Sequence, residues 1–269
     1  MNWRNVFKGA AMGFVEAVPG VSSSTIAMLL GIYEKLIESI SLLTSKEWKR
    51  GLRFLVPVGV GVGVGLVISL KLVSFFLERY PMEIHYLFIG LIIGLIPFIW
   101  KTGLQPSAQH TYEIKQSIIM VLSLVIVASL NLLPRDHSVM VNLTMGDYIF
   151  LFGSGWLASI ALVLPGISGA LILMIVGAYQ TAVNGAVNLD LPIILVVGFG
   201  VVCGVLMTGR LVRYLLHKFK QETYSAIIGL LIGSLFVLYP GVPISVFQIM
   251  ICISLFFVGL FAASILGKK

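Results

Sequence analysis

Two apolar regions of about forty residues, 5–43 and 147–187, each carry a Pro-Gly break, at Pro19-Gly20 and Pro165-Gly166. As one unbroken helix either would reach about 60 Å at 1.5 Å per residue, about twice the hydrocarbon thickness of a bilayer. Each must therefore fold back on itself. Residues 5–18 are too few to span comfortably, so a re-entrant helical hairpin is expected in each region. Irregular backbone at membrane depth is tolerated only where it faces protein or a watery cavity. The two breaks are thus the candidate site.

The membrane reading follows from composition. Hydrophobic residues make up 58%, charged residues 11%, and the mean hydropathy is +1.04, outside the range of soluble domains. Six further apolar runs, 52–77, 84–100, 116–133, 191–215, 224–239 and 244–266, are near the length of a crossing. Nothing resembles an attached soluble domain, so residues 1–269 are read as one membrane domain. Arg4 and Lys8 ahead of an apolar run imitate a signal peptide, but Glu16 and Pro19 interrupt that run and its pattern recurs in mid-chain. The N-terminus is read as mature sequence. Cys203 and Cys252 stand alone in apolar runs and are expected to be packing residues, with no metal site and no cofactor implied.

The breaks belong to a longer repeat. Residues 9–37 align without gaps onto 155–183, matching Pro19 with Pro165, Gly20 with Gly166, Ser22 with Ser168, Met28 with Met174, Gly31 with Gly177 and Tyr33 with Tyr179. Residues 54–98 then align onto 193–237 with 14 identities in 45 positions, enough to read the chain as a tandem duplication of about 1–135 and about 146–269. Each copy holds one hairpin and three crossings. A hairpin contributes an even number of crossings, so the second copy enters the membrane upside down. The expected fold is an all-α integral membrane protein with an inverted-topology tandem repeat, an architecture common among secondary transporters.

The charges agree with this topology. Fourteen of the lysines and arginines fall on one face and only Arg79 and Arg135 on the other, with Lys35 and Lys71 inside apolar regions. The positive-inside rule then places both termini in the cytoplasm. The net charge of +7 reflects topology and attraction to anionic lipids and implies no nucleic-acid partner.

The first break is followed by Ser22, Ser23, Ser24 and Thr25, four hydroxyls where a helix restarts. Free N–H groups and the dipole favour an anion there, a phosphate above all. Capping alone would need one such residue. The second break offers Ser168 and Gly169, and Gly20 and Gly166 permit the turn and a close approach. Glu16 lies in an apolar run and is a candidate to carry a coupling ion, a proton or sodium. Lys71 and Arg210 hold equivalent places toward opposite faces, where each could receive an anionic headgroup or merely reach the interface. The glycines at 59, 61, 63, 65, 198, 200 and 204 are read as small-residue helix packing.

With these residues the sequence resembles the PopT family of bacterial and archaeal polyprenyl-phosphate transporters. The segment from Pro19 through Ser22-Ser23-Ser24-Thr25 to Gly31-Ile32-Tyr33-Glu34 carries the likeness, with its partner from Pro165 through Ser168-Gly169 to Gly177-Ala178-Tyr179. The family commonly has Ser-Gly-Gly-Thr where this chain has Ser22-Ser23-Ser24-Thr25. The resemblance implies a flippase that returns undecaprenyl phosphate from the outer to the inner leaflet of the bacterial cytoplasmic membrane for cell-envelope synthesis. It implies no catalytic residue; with the residues read above, the phosphate is expected at Gly20, Ser22, Ser23, Ser24, Thr25, Gly166, Ser168 and Gly169, with Lys71 and Arg210 at the mouths. The alternative is an integral-membrane undecaprenyl-pyrophosphate phosphatase, whose first motif Glu16 and the serine triplet resemble. That family has a His after the serines and a phosphate-binding Arg in the second loop, where this chain has Thr25, Gly169 and Ala170.

Overall fold

A computed structural model describes residues 3–16, 21–104, 113–134, 139, 140 and 142–266, and of residues 70–78, 131 and 266 the backbone alone. Among the described residues there are twelve α-helices and no strand. They are α1 (Trp3–Val15), α2 (Ser23–Leu29), α3 (Tyr33–Leu42), α4 (Trp48–Arg79), α5 (Pro81–Leu104), α6 (Ile114–Ser129), α7 (Met145–Val163), α8 (Gly169–Val176), α9 (Tyr179–Val187), α10 (Leu191–Lys218), α11 (Lys220–Leu238) and α12 (Val246–Leu266). Six of them, α4, α5, α7, α10, α11 and α12, are long and apolar enough to cross a membrane. This is a multi-pass membrane protein.

Helix boundaries follow local chemistry. Thr144 with Asp147, and Glu113 with Gln116, form reciprocal caps at the starts of α7 and α6, satisfying donors that the first turn leaves free. Asp190 caps α10 by accepting from the Ile193 N–H, and Pro192 sits in the first turn where its missing donor costs nothing.

The broken regions differ from simple two-limbed hairpins. Each has three pieces, because α2 and α8 end at Gly31 and Gly177, both with positive φ (64° and 85°). There the chain turns again, and α8 and α9 meet at 112°. A left-handed turn of this kind ends a helix cheaply only at glycine. The first limbs also differ, since α7 has 19 residues and passes as a crossing while α1 has 13. The break at Pro19-Gly20 lies outside the described residues.

Helices pack in pairs, and the pairings of α1 with α4 and α5 with α12 recur as α7 with α10 and α11 with α6. Glycine makes these contacts possible. A Cβ on Gly61 or Gly65 would fall on the carbonyl of Val6 or Ala10, and one on Gly200 on that of Phe152. Gly94 and Gly233 play the same part, where a Cβ would lie 2.6 Å from the Leu260 carbonyl and 2.7 Å from that of Leu124. Small residues let membrane helices approach to backbone contact, which supplies the packing energy that the hydrophobic effect cannot supply in lipid. Gly59, Gly63 and Gly198, expected to join this packing, meet nothing within 4 Å.

At one end of the bundle Arg213 bonds the Ser41 hydroxyl (3.0 Å), Lys115 pairs with Glu222 (2.9 Å) and Tyr224 bonds Glu34 (2.7 Å). These contacts gather the α3–α4 and α10–α11 junctions and the start of α6 on one basic face. At the other end Tyr86 bonds the Gly241 carbonyl (3.2 Å) and Gln248 bonds Glu83 (3.2 Å). The core lies between, with α2 buried against α5 and α7.

Candidate functional site

The serine cluster caps the short helix it precedes. Ser22 has extended backbone, and its hydroxyl accepts from the Ser24 N–H (3.3 Å) and pairs with the Ser24 hydroxyl (2.6 Å). Ser22, Ser24 and Thr25 are at most 2% exposed, so their hydroxyls sit in the core and not at a lipid surface. Ser23 faces Glu16, whose Oε2 accepts from both the Ser23 N–H (3.3 Å) and the Ser23 hydroxyl. The carboxylate thus holds donors at the start of α2. A negative group is favoured at that end of a helix.

The second break meets the start of α2. The Gly166 N–H donates to Thr25 Oγ1 across 141 residues of sequence (3.2 Å). Gly166 has φ +91°, and a Cβ there would lie 2.7 Å from the Leu230 backbone, so only glycine fits between the loop and α11. Tyr33, just past α2 and 3% exposed, donates to the Val163 carbonyl at the end of α7 (3.1 Å). That carbonyl belongs to the last turn before Pro165, where helix carbonyls lose their partners. Two long-range bonds therefore tie the second break and the end of α7 before it to the two ends of α2.

Ser168 caps α8 with extended backbone but makes no side-chain capping bond, and it is 7% exposed. Gly169 packs back on α7, where a Cβ would lie 3.1 Å from the Ala158 carbonyl. Arg210 is exposed on the basic face and donates to the Thr44 carbonyl (3.2 Å). The structure brings Glu16, Ser23, Thr25 and Gly166 together, and it leaves Arg210 at the rim. Gly20 and the Lys71 side chain lie outside the described residues.

Sequence reasoning passed over Tyr33 as an anchor, although its recurrence as Tyr179 was the available signal. It also passed over a polar cavity of about 560 Å³ on the basic face, between α3 and the α10–α11 junction. An apolar groove of about 450 Å³ between α6, α10 and α11 runs from Lys115 and Glu222 to Leu164, beside the second break.

The family described as VCA0040-like, undecaprenyl phosphate translocase-like, matches residues 12–251. The chain belongs to this family. It is 34% identical over 272 residues to the polyprenyl-phosphate transporter of Staphylococcus aureus, covering 99% of this chain and 96% of that one. To the polyprenyl-phosphate transporter of Vibrio cholerae it is 30% identical over 254 residues, covering 89% and 79%. Both relatives are named as transporters and neither as an enzyme, which sets the phosphatase alternative aside. No solved structure matches the chain.

Proposed function

We propose that this protein moves a polyprenyl phosphate, undecaprenyl phosphate in bacteria, from the outer to the inner leaflet of the cytoplasmic membrane, returning the carrier for cell-envelope synthesis. The observation that carries the reading is the bond from Gly166 to Thr25, which joins the second helix break to the cluster of buried hydroxyls at the start of α2. Relatives named for polyprenyl-phosphate transport supply the substrate class. The phosphate is held by Gly20, Ser22, Ser23, Ser24, Thr25, Gly166, Ser168 and Gly169. The prenyl tail follows the apolar groove that ends at Leu164, so tail and headgroup stay in environments that suit each.

In this reading the chain is two inverted copies, about 1–135 and about 146–269. The recurring helix pairs support it, and so does the C-terminal part of α10 lying against α3 and the connection after it. The basic face and both termini are cytoplasmic. Lys71 receives the headgroup from the outer leaflet and Arg210 guides it out at the cytoplasmic rim.

Moving one negative charge inward against a potential of 100 mV costs about 2.3 kcal/mol. Glu16 is placed to meet that cost. Its carboxylate occupies the Ser23 donors that a phosphate would use, so proton or sodium uptake by Glu16 releases them to the substrate. The test is inward movement of undecaprenyl phosphate in liposomes. Ser23→Ala, Lys71→Ala and Arg210→Ala should each slow transport, and Glu16→Gln should uncouple it from an imposed ion gradient. Unchanged, gradient-dependent transport by all four variants would refute the site.

A further inference from the structure

We propose that the polar cavity on the basic face is a second phosphate site, in which the Glu34 carboxylate fills the anion's place when the site is empty. The cavity, about 560 Å³, is lined by Lys35, Arg213, His217 and Lys220 together with Glu34 and Glu38. Among the described residues neither Arg213 nor Lys35 pairs with a carboxylate. Glu38 pairs with Arg50 (3.9 Å), Arg213 donates to the neutral Ser41 hydroxyl, and Lys35 lies over the Phe54 ring (5.0 Å).

Glu34 alone sits among the donors. Its Oε1 accepts from the Tyr224 hydroxyl (2.7 Å) and pairs with Lys220 Nζ (3.6 Å). A hydroxyl and an ammonium converging on one oxygen, with a guanidinium on the same wall, suit a phosphate monoester as well as a carboxylate. Glu34 is 54% exposed and Lys220 50%, so their pairing is weak enough for an incoming dianion to replace it.

Position adds the second argument. Glu34 and Gly31 also line an adjoining cavity of about 280 Å³, whose other walls include Met28 at the end of α2, Tyr33 and Tyr224. Glu34 therefore stands where the basic face adjoins the helix that carries the serine cluster. A phosphate displacing it would gain Tyr224, Lys220 and Arg213 together, and would be held on the basic face after leaving the hydroxyls. Arg210, one turn before Arg213 on α10, lies at the rim of the same region.

The site itself stands on geometry; that its phosphate belongs to a lipid rests on the proposed function. The experiment reads it locally. In the purified full-length protein, Lys220 acylation by an amine-reactive reagent is followed by mass spectrometry against rising short-chain prenyl phosphate or inorganic phosphate. Either anion should protect Lys220; protection by the prenyl phosphate at lower concentration identifies a lipid headgroup, and equal potency identifies a free phosphate. R213Q and K35Q should raise the half-protecting concentration by about tenfold, the scale of one lost hydrogen bond to a charged group. E34Q should lower it by about threefold, the scale of one half-exposed ion pair. Lys220 reactivity unmoved by both anions, or the same half-protecting concentration in wild type, R213Q and K35Q, would overturn the site whatever the liposome assay shows. Protection intact in a protein that moves no lipid would leave the site standing and remove the transport reading.

Discussion

Four glycines alternate along α4, and the packing makes opposite demands on them. Gly61 and Gly65 are buried against the α1 backbone, whereas Gly59 and Gly63 are exposed with open space around them. Gly61→Ala places a methyl on the Val6 carbonyl, which is backbone and cannot swing aside, so α1 and α4 must separate. Overpacking costs about 1–3 kcal/mol, and an immovable neighbour puts this case near 3. Gly63→Ala meets nothing and gains about 1 kcal/mol of helix propensity. Since Gly61→Ala gains the same propensity, the difference between the two variants isolates the clash, about 3 kcal/mol. At about 2–4 °C per kcal/mol for a chain of this size, Gly61→Ala should melt about 6–12 °C below Gly63→Ala in detergent. Gly200→Ala and Gly198→Ala should repeat the contrast on α10. Melting of Gly61→Ala within about 2 °C of Gly63→Ala would refute the backbone-contact argument.

Three more outcomes test the centre. Thr25→Val leaves the buried Gly166 N–H without its acceptor and should cost about 1–3 kcal/mol in thermal unfolding, while Thr25→Ser should keep most of the stability. Tyr33→Phe removes the bond to the Val163 carbonyl and should cost about 1 kcal/mol, measured the same way. Gly166→Ala combines a left-handed φ with a clash on Leu230, so it should lower both melting temperature and liposome transport more than Gly146→Ala, where the nearest atom to an added Cβ is 3.6 Å away.

Most of the spans were legible because hydropathy reports the solvent around a helix, but the expected crossing at 116–133 forms the 16-residue α6, shorter than the spans, and α7, expected as part of a hairpin, counts among them. Residues 84–100 and 191–215 stand within α5 and α10, and 244–266 takes in all of α12. Hydropathy does not report the partner. A glycine signals close approach without saying to what, so Gly59 and Gly61 look alike in sequence and differ in the fold. The second turns were also missed, since no proline accompanies Gly31 or Gly177 and only their positive φ reveals the role. At the site, Glu16 and the serines were readable as polar groups in an apolar run. The bonds from Gly166 to Thr25 and from Tyr33 to Val163 join residues more than a hundred positions apart, and no local pattern encodes such pairs. The Glu34 cavity was hidden for the same reason, because its walls come from α3 and the α10–α11 junction and each of its charges reads singly as an interfacial residue.

The exchange of partners between α5 and α12, and between α11 and α6, has a bearing on how such a protein can be built. Neither proposed half contains the helix that fills the glycine notches of its own α5 or α11. Residues 1–135 expressed alone would present Gly90 and Gly94 to lipid, with no backbone seated against them. Two separately made fragments could recover the notches only by finding each other in the bilayer. A single ancestral half would have met the same need by pairing with another molecule of itself inserted the opposite way up.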